Sequence, residues 1–199
     1  MVAQGTVLAC DVGNVIITAD QNITSRLLMA LGVDERNAET FFSNKEYAAF
    51  SRGRIRSDEF CQALTNDYLK VQLPCDTLRD AHDKHITGVD WDVLAVLDKI
   101  RGIPLIFLTN TNVWQTERER ELVDLTKYSG TIIRSHEIHA LKIDGDYYSI
   151  LEKTTGLRPD RLILIDDNLQ IIERAKQHGL RTIQFTSAKQ LLASLQKLI

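Results

Sequence analysis

Five short apolar runs, at residues 6–10, 104–108, 131–134, 162–165 and 182–185, read as buried β-strands, and helical stretches at 113–127, 147–155 and 169–178 separate the last four. Strands alternating with helices in this way predict an α/β fold, a parallel sheet with right-handed crossovers and helices on both faces. Gly179 closes the helix ending at residue 178, where a left-handed cap is wanted. Ser187 and Gln190 open a final helix as a capping box, with Leu191, Leu192, Leu195 and Leu198 as its apolar stripe.

Residues 20–88 break the rhythm, carrying several helical patterns and no convincing strand. Expected helices run over 23–31, around 38–50, over 58–69 with Ser57 as N-cap, and from Pro74 onward. The predicted organisation is therefore a core formed by residues 1–19 and 89–199, with 20–88 as an all-helical cap inserted after the first strand and lying over the strand ends.

Composition excludes several function classes. The chain has 199 residues, 44% hydrophobic, enough to bury a core without disulfides or a structural metal. With 24 basic against 27 acidic residues it lacks the basic excess of a dedicated nucleic-acid binder. No apolar run is long enough to span a membrane, and the first twenty residues lack the pattern of a secretory signal. Cys10, Cys61 and Cys75, odd in number and unevenly spaced, read as free thiols of a reducing compartment, which predicts a cytoplasmic protein.

In open parallel sheets ligands bind beyond the carboxyl ends of the strands, so the polar residues following each run matter most. They are Asp11-Val12-Gly13-Asn14 after the first, Thr109-Asn110-Thr111-Asn112 after the second, Asp166-Asp167-Asn168 after the fourth, and Lys142 in a loop after the third. Singly, each has an ordinary explanation: an Asp after a strand is usually a helix cap or turn former, and a lone Lys a solvated charge. Together they bring three carboxylates, a hydroxyl and one lysine to one sheet edge. Carboxylates that close repel unless they share a cation, and an all-oxygen site favours Mg²⁺. Asp11 and Asp167, with Asp166, would hold it, leaving a carboxylate oxygen of Asp11 to attack phosphorus. Thr109, Lys142 and the Asn110 backbone amide would bind and neutralise the transferring phosphoryl group.

These four segments, in this order over nearly the whole chain, resemble the haloacid dehalogenase-like (HAD) hydrolase superfamily. The loop after Asp11, and Phe50-Ser51-Arg52-Gly53-Arg54-Ile55 before Phe60 in the insert, are similar to its branch of bacterial phosphatases of alpha-glucose 1-phosphate. The resemblance implies a Rossmann-like three-layer core and a metal-dependent phosphatase of a small phosphorylated metabolite. Asp11 would form an aspartyl-phosphate, Thr109 and Lys142 would hold the phosphate, and Asp166, Asp167 and the Gly13 carbonyl would join Asp11 around the metal. Two departures stand out. Relatives commonly carry a second Asp two residues after the nucleophile, as leaving-group acid, where this chain has Gly13, although the similar phosphatase branch shares the Gly; relatives also usually have Pro where Ile143 follows Lys142. A sugar phosphorylated at its anomeric carbon, a good leaving group, would suffer least from the missing acid.

Two other readings compete. A 2-haloacid dehalogenase would use the same Asp without metal or acid, but the Asp166-Asp167 pair would then repel an anionic substrate. A silent phosphate-binding or regulatory protein would keep the fold without turnover. Among the remaining residues, Arg52, Arg54 and Arg56 are candidates to reach an anionic substrate from the cap, with Arg52 the foremost. His82, His85, His136 and His139 read as surface histidines, Cys10 as a buried strand residue, and Trp91 and Trp114 as packing residues.

Overall fold

The computed structural model describes residues 5–100 and 102–197. In chain order the elements are β1 (Val7–Cys10), β2 (Ile17–Ala19), α1 (Gln21–Ala30), α2 (Glu35–Glu39), α3 (Lys45–Ser51), α4 (Ser57–Ala63), α5 (Cys75–Asp83), β3 (Ile86–Val89) and α6 (Trp91–Lys99). There follow β4 (Leu105–Thr109), α7 (Val113–Leu122), β5 (Ile132–Arg134), α8 (Ser135–Ile138), α9 (Tyr147–Thr155), β6 (Leu162–Asp166), α10 (Leu169–Gln177), β7 (Arg181–Gln184) and α11 (Ala188–Gln196).

Among the described residues β5-β4-β1-β6-β7 form a five-stranded sheet whose neighbours are all parallel. All four residues of β1 are buried, as a central strand covered on both faces requires. Its side chains alternate: Leu8 and Cys10 join Val93, Leu97, Leu191 and Leu195 on one face, while Val7 and Ala9 join Tyr147, Leu151, Ile171 and Ala175 on the other. The chain builds the sheet outward from β1 through β4 and β5 on one side, then through β6 and β7 on the other, so the order reverses at the carboxyl end of β1. That switch point opens a crevice between strand ends, and Asp11 stands in it.

The expected α/β class holds, and its cap is helical. Between β2 and β3, α1–α5 pack around Leu28, Phe41, Phe50, Phe60, Leu64 and Leu78, with Trp114 of α7 completing the cluster from the core side. Phe50 and Phe60 stack at 4.3 Å, and Trp114 meets Phe60 edge-on at 5.3 Å. The insert is bracketed by an unforeseen antiparallel ribbon, β2 pairing with β3 through Ile17↔Val89 and Thr18↔Gly88. A Thr and a Gly in four residues give β3 little apolar signal, so the pairing rests on a partner at its far end of the insert.

Several local expectations need correction. Helix α4 begins at Ser57, so Ser57 is not its cap; its hydroxyl instead accepts a hydrogen bond from Trp114 Nε1 at 3.1 Å. The stretch 113–127 divides into α7 and a 3₁₀ turn at Leu125–Lys127, because Asp124 caps that turn. Gly179 does take the left-handed conformation, at φ 85°. Ser187 caps α11 by accepting from Gln190 N–H, while the Gln190 side chain reaches Thr186 N–H rather than that of Ser187. Leu198, the last of the expected stripe, lies outside the described residues. Trp91 is 61% exposed and packs in no core, whereas Trp114 is buried. His82 and His85 are buried too, stacked edge-on to each other within the cap's aromatic cluster.

The cysteines depart furthest from expectation. Cys61 of α4 and Cys75 of α5 are joined by a disulfide across a sequence separation of 14, leaving Cys10 as the free thiol among the described residues. Disulfides persist in oxidising surroundings and are uncommon in the cytosol, so the cytoplasmic expectation loses its cysteine argument. No helix among the described residues is long and apolar enough to cross a membrane.

Candidate active site

Asp11 follows directly on β1, Thr109 ends β4, Asp166 ends β6, and Asp167 follows it. Strand ends deliver these side chains to the crevice, and one carboxylate oxygen from each of Asp11, Asp166 and Asp167 lies within 4.8 Å of the others. Lys142 arrives from the turn beyond α8 and is wholly buried, an extreme position for an ammonium. Its Nζ lies 2.8 Å from Asp11 Oδ1 and 2.7 Å from Asp166 Oδ2. Asp11 Oδ1 also accepts from Val12 N–H at 2.6 Å, and Asp166 Oδ1 from Asn168 N–H at 2.9 Å.

Burial is the dominant electrostatic influence. It pushes the Asp11 carboxyl up to about 7, with Lys142 pulling it down and Asp166 adding to the rise. Burial alone would lower the pKa of Lys142, but Asp11 and Asp166 outweigh it and hold the ammonium above its ordinary value. Asp167 is also raised, by partial burial and then by Asp166, with the Asn14 side chain opposing. Fully ionised, the three carboxylates would exceed the one ammonium by two negative charges, and the raised Asp11 and Asp167 show how strongly the crevice resists that state without a counter-charge. A single divalent cation with oxygen ligands would cancel that excess, and the donor set, free of His and Cys, suits Mg²⁺.

The other expected residues fall in different places. Thr109 is buried beside the cluster and Asn110 is exposed, its Oδ1 accepting from Lys142 N–H at 2.9 Å. Gly13 is exposed with open space where a Cβ would stand. Arg52 does not present a free guanidinium to substrate: Nε and Nη2 donate to Asp144 at 2.8 and 2.6 Å, and Nη1 donates to Ala48 O at 3.1 Å. Arg56 is likewise engaged, with Asp58 and Glu59 on the exposed surface. Cys10 is fully buried and its thiol is pushed up by that burial and by Asp11, so it is no nucleophile.

Sequence reasoning passed over Asn14, whose left-handed backbone at φ 53° turns the loop after Asp11 and sets its side chain against Asp167. An Asn three residues past a strand-ending Asp is a usable sign of such a turn. A cavity of about 390 Å³ is lined by Gln21, Ser43, Asn44 and Tyr47 from the insert and by Asn110, Gln115, Leu141 and Asn168 from the core, the chain neighbours of Thr109, Lys142 and Asp167 among them. Every described residue lining it is uncharged.

No protein-family model matches the chain. Solved structures match its fold closely. A predicted HAD-like family hydrolase from Porphyromonas gingivalis superposes with a TM-score of 0.83 at 20% identity, over 97% of each chain. A HAD family enzyme from Bacteroides thetaiotaomicron, solved in complex with magnesium and inorganic phosphate, gives 0.80 at 18% identity, over 91% of this chain and 94% of that one. L-2-haloacid dehalogenase from Xanthobacter autotrophicus, with chloropropionic acid covalently bound, gives 0.62 at 15% identity, over 96% and 82%. The chain thus has the fold of the HAD enzymes. At these identities the likeness defines the fold alone.

Proposed function

We propose that this protein is a Mg²⁺-dependent phosphatase of a small phosphorylated metabolite, working through a phosphoryl group carried on Asp11. The observation that carries the reading is the cluster of Asp11, Asp166 and half-buried Asp167 around Lys142, whose three carboxylates, once ionised, exceed the ammonium by two charges that a divalent cation would cancel. Asp11, Asp166, Asp167 and the Gly13 carbonyl would hold the ion, which when bound supplies charge neutralisation at the phosphoryl oxygens. The Bacteroides relative binds magnesium and inorganic phosphate on the same fold, which supports the assignment.

The chain's own groups fit this chemistry. Asp11 Oδ1 is fixed by Val12 N–H and Lys142, which directs the other oxygen to attack phosphorus. As that bond forms, the ester P–O bond breaks and the alcohol leaves with a proton from solvent. Water then attacks the phosphoryl-Asp11, releasing inorganic phosphate and restoring the carboxylate. Lys142, Thr109 and the Asn110 backbone N–H would bind the phosphoryl oxygens. The uncharged amides and hydroxyls around the 390 Å³ cavity suit a neutral, hydroxyl-rich leaving group, and its volume suits a small metabolite. A sugar phosphorylated at the anomeric carbon meets both conditions and needs little leaving-group protonation, as Gly13 requires.

A dehalogenase on the same fold would also use Asp11 without an acid at position 13, but the ionised carboxylates of the cluster would repel a haloacid carboxylate. A phosphate-release screen across phosphorylated sugars, nucleotides and amino acids, with and without Mg²⁺, tests the reading, with Asp11→Asn as the blank. Mg²⁺-dependent release abolished in Asp11→Asn is expected. Full turnover in Asp11→Asn, or turnover indifferent to EDTA, would overturn it.

A further inference from the structure

Lys142 does its work from a turn, and turns move unless something holds them. The turn at residues 141–144 is closed twice by Asp144: its N–H donates to Leu141 O at 2.8 Å, and its Oδ2 accepts from Leu141 N–H at 2.9 Å. The same carboxylate accepts from both nitrogens of one edge of the Arg52 guanidinium, Nε at 2.8 Å and Nη2 at 2.6 Å. Arg52 caps the carboxyl end of α3, inside the helical insert. A planar fork bound in two places fixes orientation as well as distance. Both side chains are less than one-fifth exposed, so solvent screens the pair only partly.

The residues flanking Arg52 are seated on the core as well. Ser51 O accepts from Ser135 Oγ at 2.7 Å, and Arg52 O faces His139 Nδ1 at 2.9 Å. Gly53, in the left-handed region at φ 62°, lies so close to the His136 carbonyl that a Cβ there would collide with it. Ser51, Arg52 and Gly53 thus rest on one core segment, residues 135–139, which leads directly into the Lys142 turn. Ser135 Oγ also accepts from Thr111 N–H at 2.9 Å, in the loop that follows Thr109, and shares its single proton between Ser51 O and Thr111 O.

We infer that Arg52 is a positioning residue, whose pair with Asp144 couples the seating of the helical insert to the placement of the Lys142 ammonium between Asp11 and Asp166. The insert therefore reaches the phosphate site through the lysine turn rather than by touching phosphate with Arg52. For its kinetic arm this rests on the phosphatase reading; its other arm does not.

Arg52→Gln, Asp144→Asn and the double variant are compared with the full-length protein, and Arg52→Lys serves as the conservative variant. Circular dichroism and Tm select variants that keep the fold. Expected are amide exchange at Leu141 and Lys142 faster by about tenfold in Arg52→Gln, kcat lower by about tenfold with KM within about threefold, partial recovery in Arg52→Lys, and a double variant no worse than either single. Unchanged exchange at Leu141 and Lys142, additive losses in the double variant, or a rise in KM at constant kcat would each overturn the coupling; the last would make Arg52 a direct substrate ligand. If the wild type releases no phosphate from any ester, the phosphatase reading fails on its own, and the exchange measurement still decides the coupling.

Discussion

Lys142 Nζ lies 2.7 Å from Asp166 Oδ2 with both side chains cut off from water, so neither charge has a substitute partner in solvent. Breaking such a pair from one side leaves the other charge buried and exposed to its like-charged neighbours. Lys142→Met is expected to lower unfolding free energy by about 3–5 kcal/mol in metal-free buffer. Mg²⁺ should restore part of the loss, because a ligand that binds only the folded state stabilises it. Urea denaturation with EDTA and with Mg²⁺ measures both effects; equal stability to wild type in EDTA would show that the three groups are not coupled as the distances imply.

Gly13 has open space at its Cβ position, and its backbone lies outside the left-handed region, so an L side chain fits without strain. Gly13→Asp is expected to fold normally and to supply the leaving-group acid that the wild type lacks. Turnover of alkyl phosphates, whose leaving groups need a proton, should rise by roughly 10²-fold or more, and turnover of p-nitrophenyl phosphate should hardly change. Equal effects on the two substrates would show that protonation is not what position 13 controls.

The parts of this molecule that could be read from the chain are those whose signal is local. A run such as residues 162–165 with two Asp behind it announces a buried strand and a crevice residue together, and the structure puts Asp166 and Asp167 at that strand end. The carboxyl end of Tyr147–Thr155 is marked in the sequence by Gly156, which stops it in the left-handed conformation. What escaped depends on partners distant in the chain. Thr18 meets Gly88 across the whole insert, Arg52 meets Asp144 across 92 residues, and neither pairing leaves a trace in its own neighbourhood. His82 looks like a solvated residue by type. Its burial follows from the aromatic cluster of Phe41, Phe42, Tyr47 and Trp114 closing around it.

Cys61–Cys75 ties α4 to α5 across a sequence separation of 14. A closed loop of that size removes enough freedom from the unfolded chain to stabilise the fold by about 3 kcal/mol. Reduction with dithiothreitol should therefore lower Tm of the protein, and Cys61→Ala with Cys75→Ala should lower it at least as much, because the Cys61 sulfur is also packed in the cap cluster. Native thiol titration before reduction should find no rapidly reacting group, since Cys10 is fully buried. Two rapidly titrating thiols in the native protein would mean that the bond does not form.

His85 weakens the fold on mild acidification, set against the raised carboxyls of Asp11, Asp167 and Glu119, which take up protons first in the folded state and work the other way. Burial holds the His85 pKa down to about 4, with the charge of nearby His82 adding to the depression, against an ordinary value of 6.5. At this residue the unfolded chain therefore takes up a proton at a higher pH than the folded one, and between about pH 6.5 and 4 its titration favours unfolding with each step toward acid. Above pH 6.5 both states are neutral at this position and it contributes no slope. The shift corresponds to a loss on the order of 3 kcal/mol across that window. His82 is depressed in the same direction by its own burial, which adds to that loss. His85→Gln removes the titrating ring while keeping a side-chain amide that can face Gln115, which lies 3.2 Å from His85 Nε2. Guanidinium denaturation at pH 7 and pH 5 should show His85→Gln gaining stability relative to wild type as the pH falls. An identical difference in the two proteins would place the acid-sensitive group elsewhere.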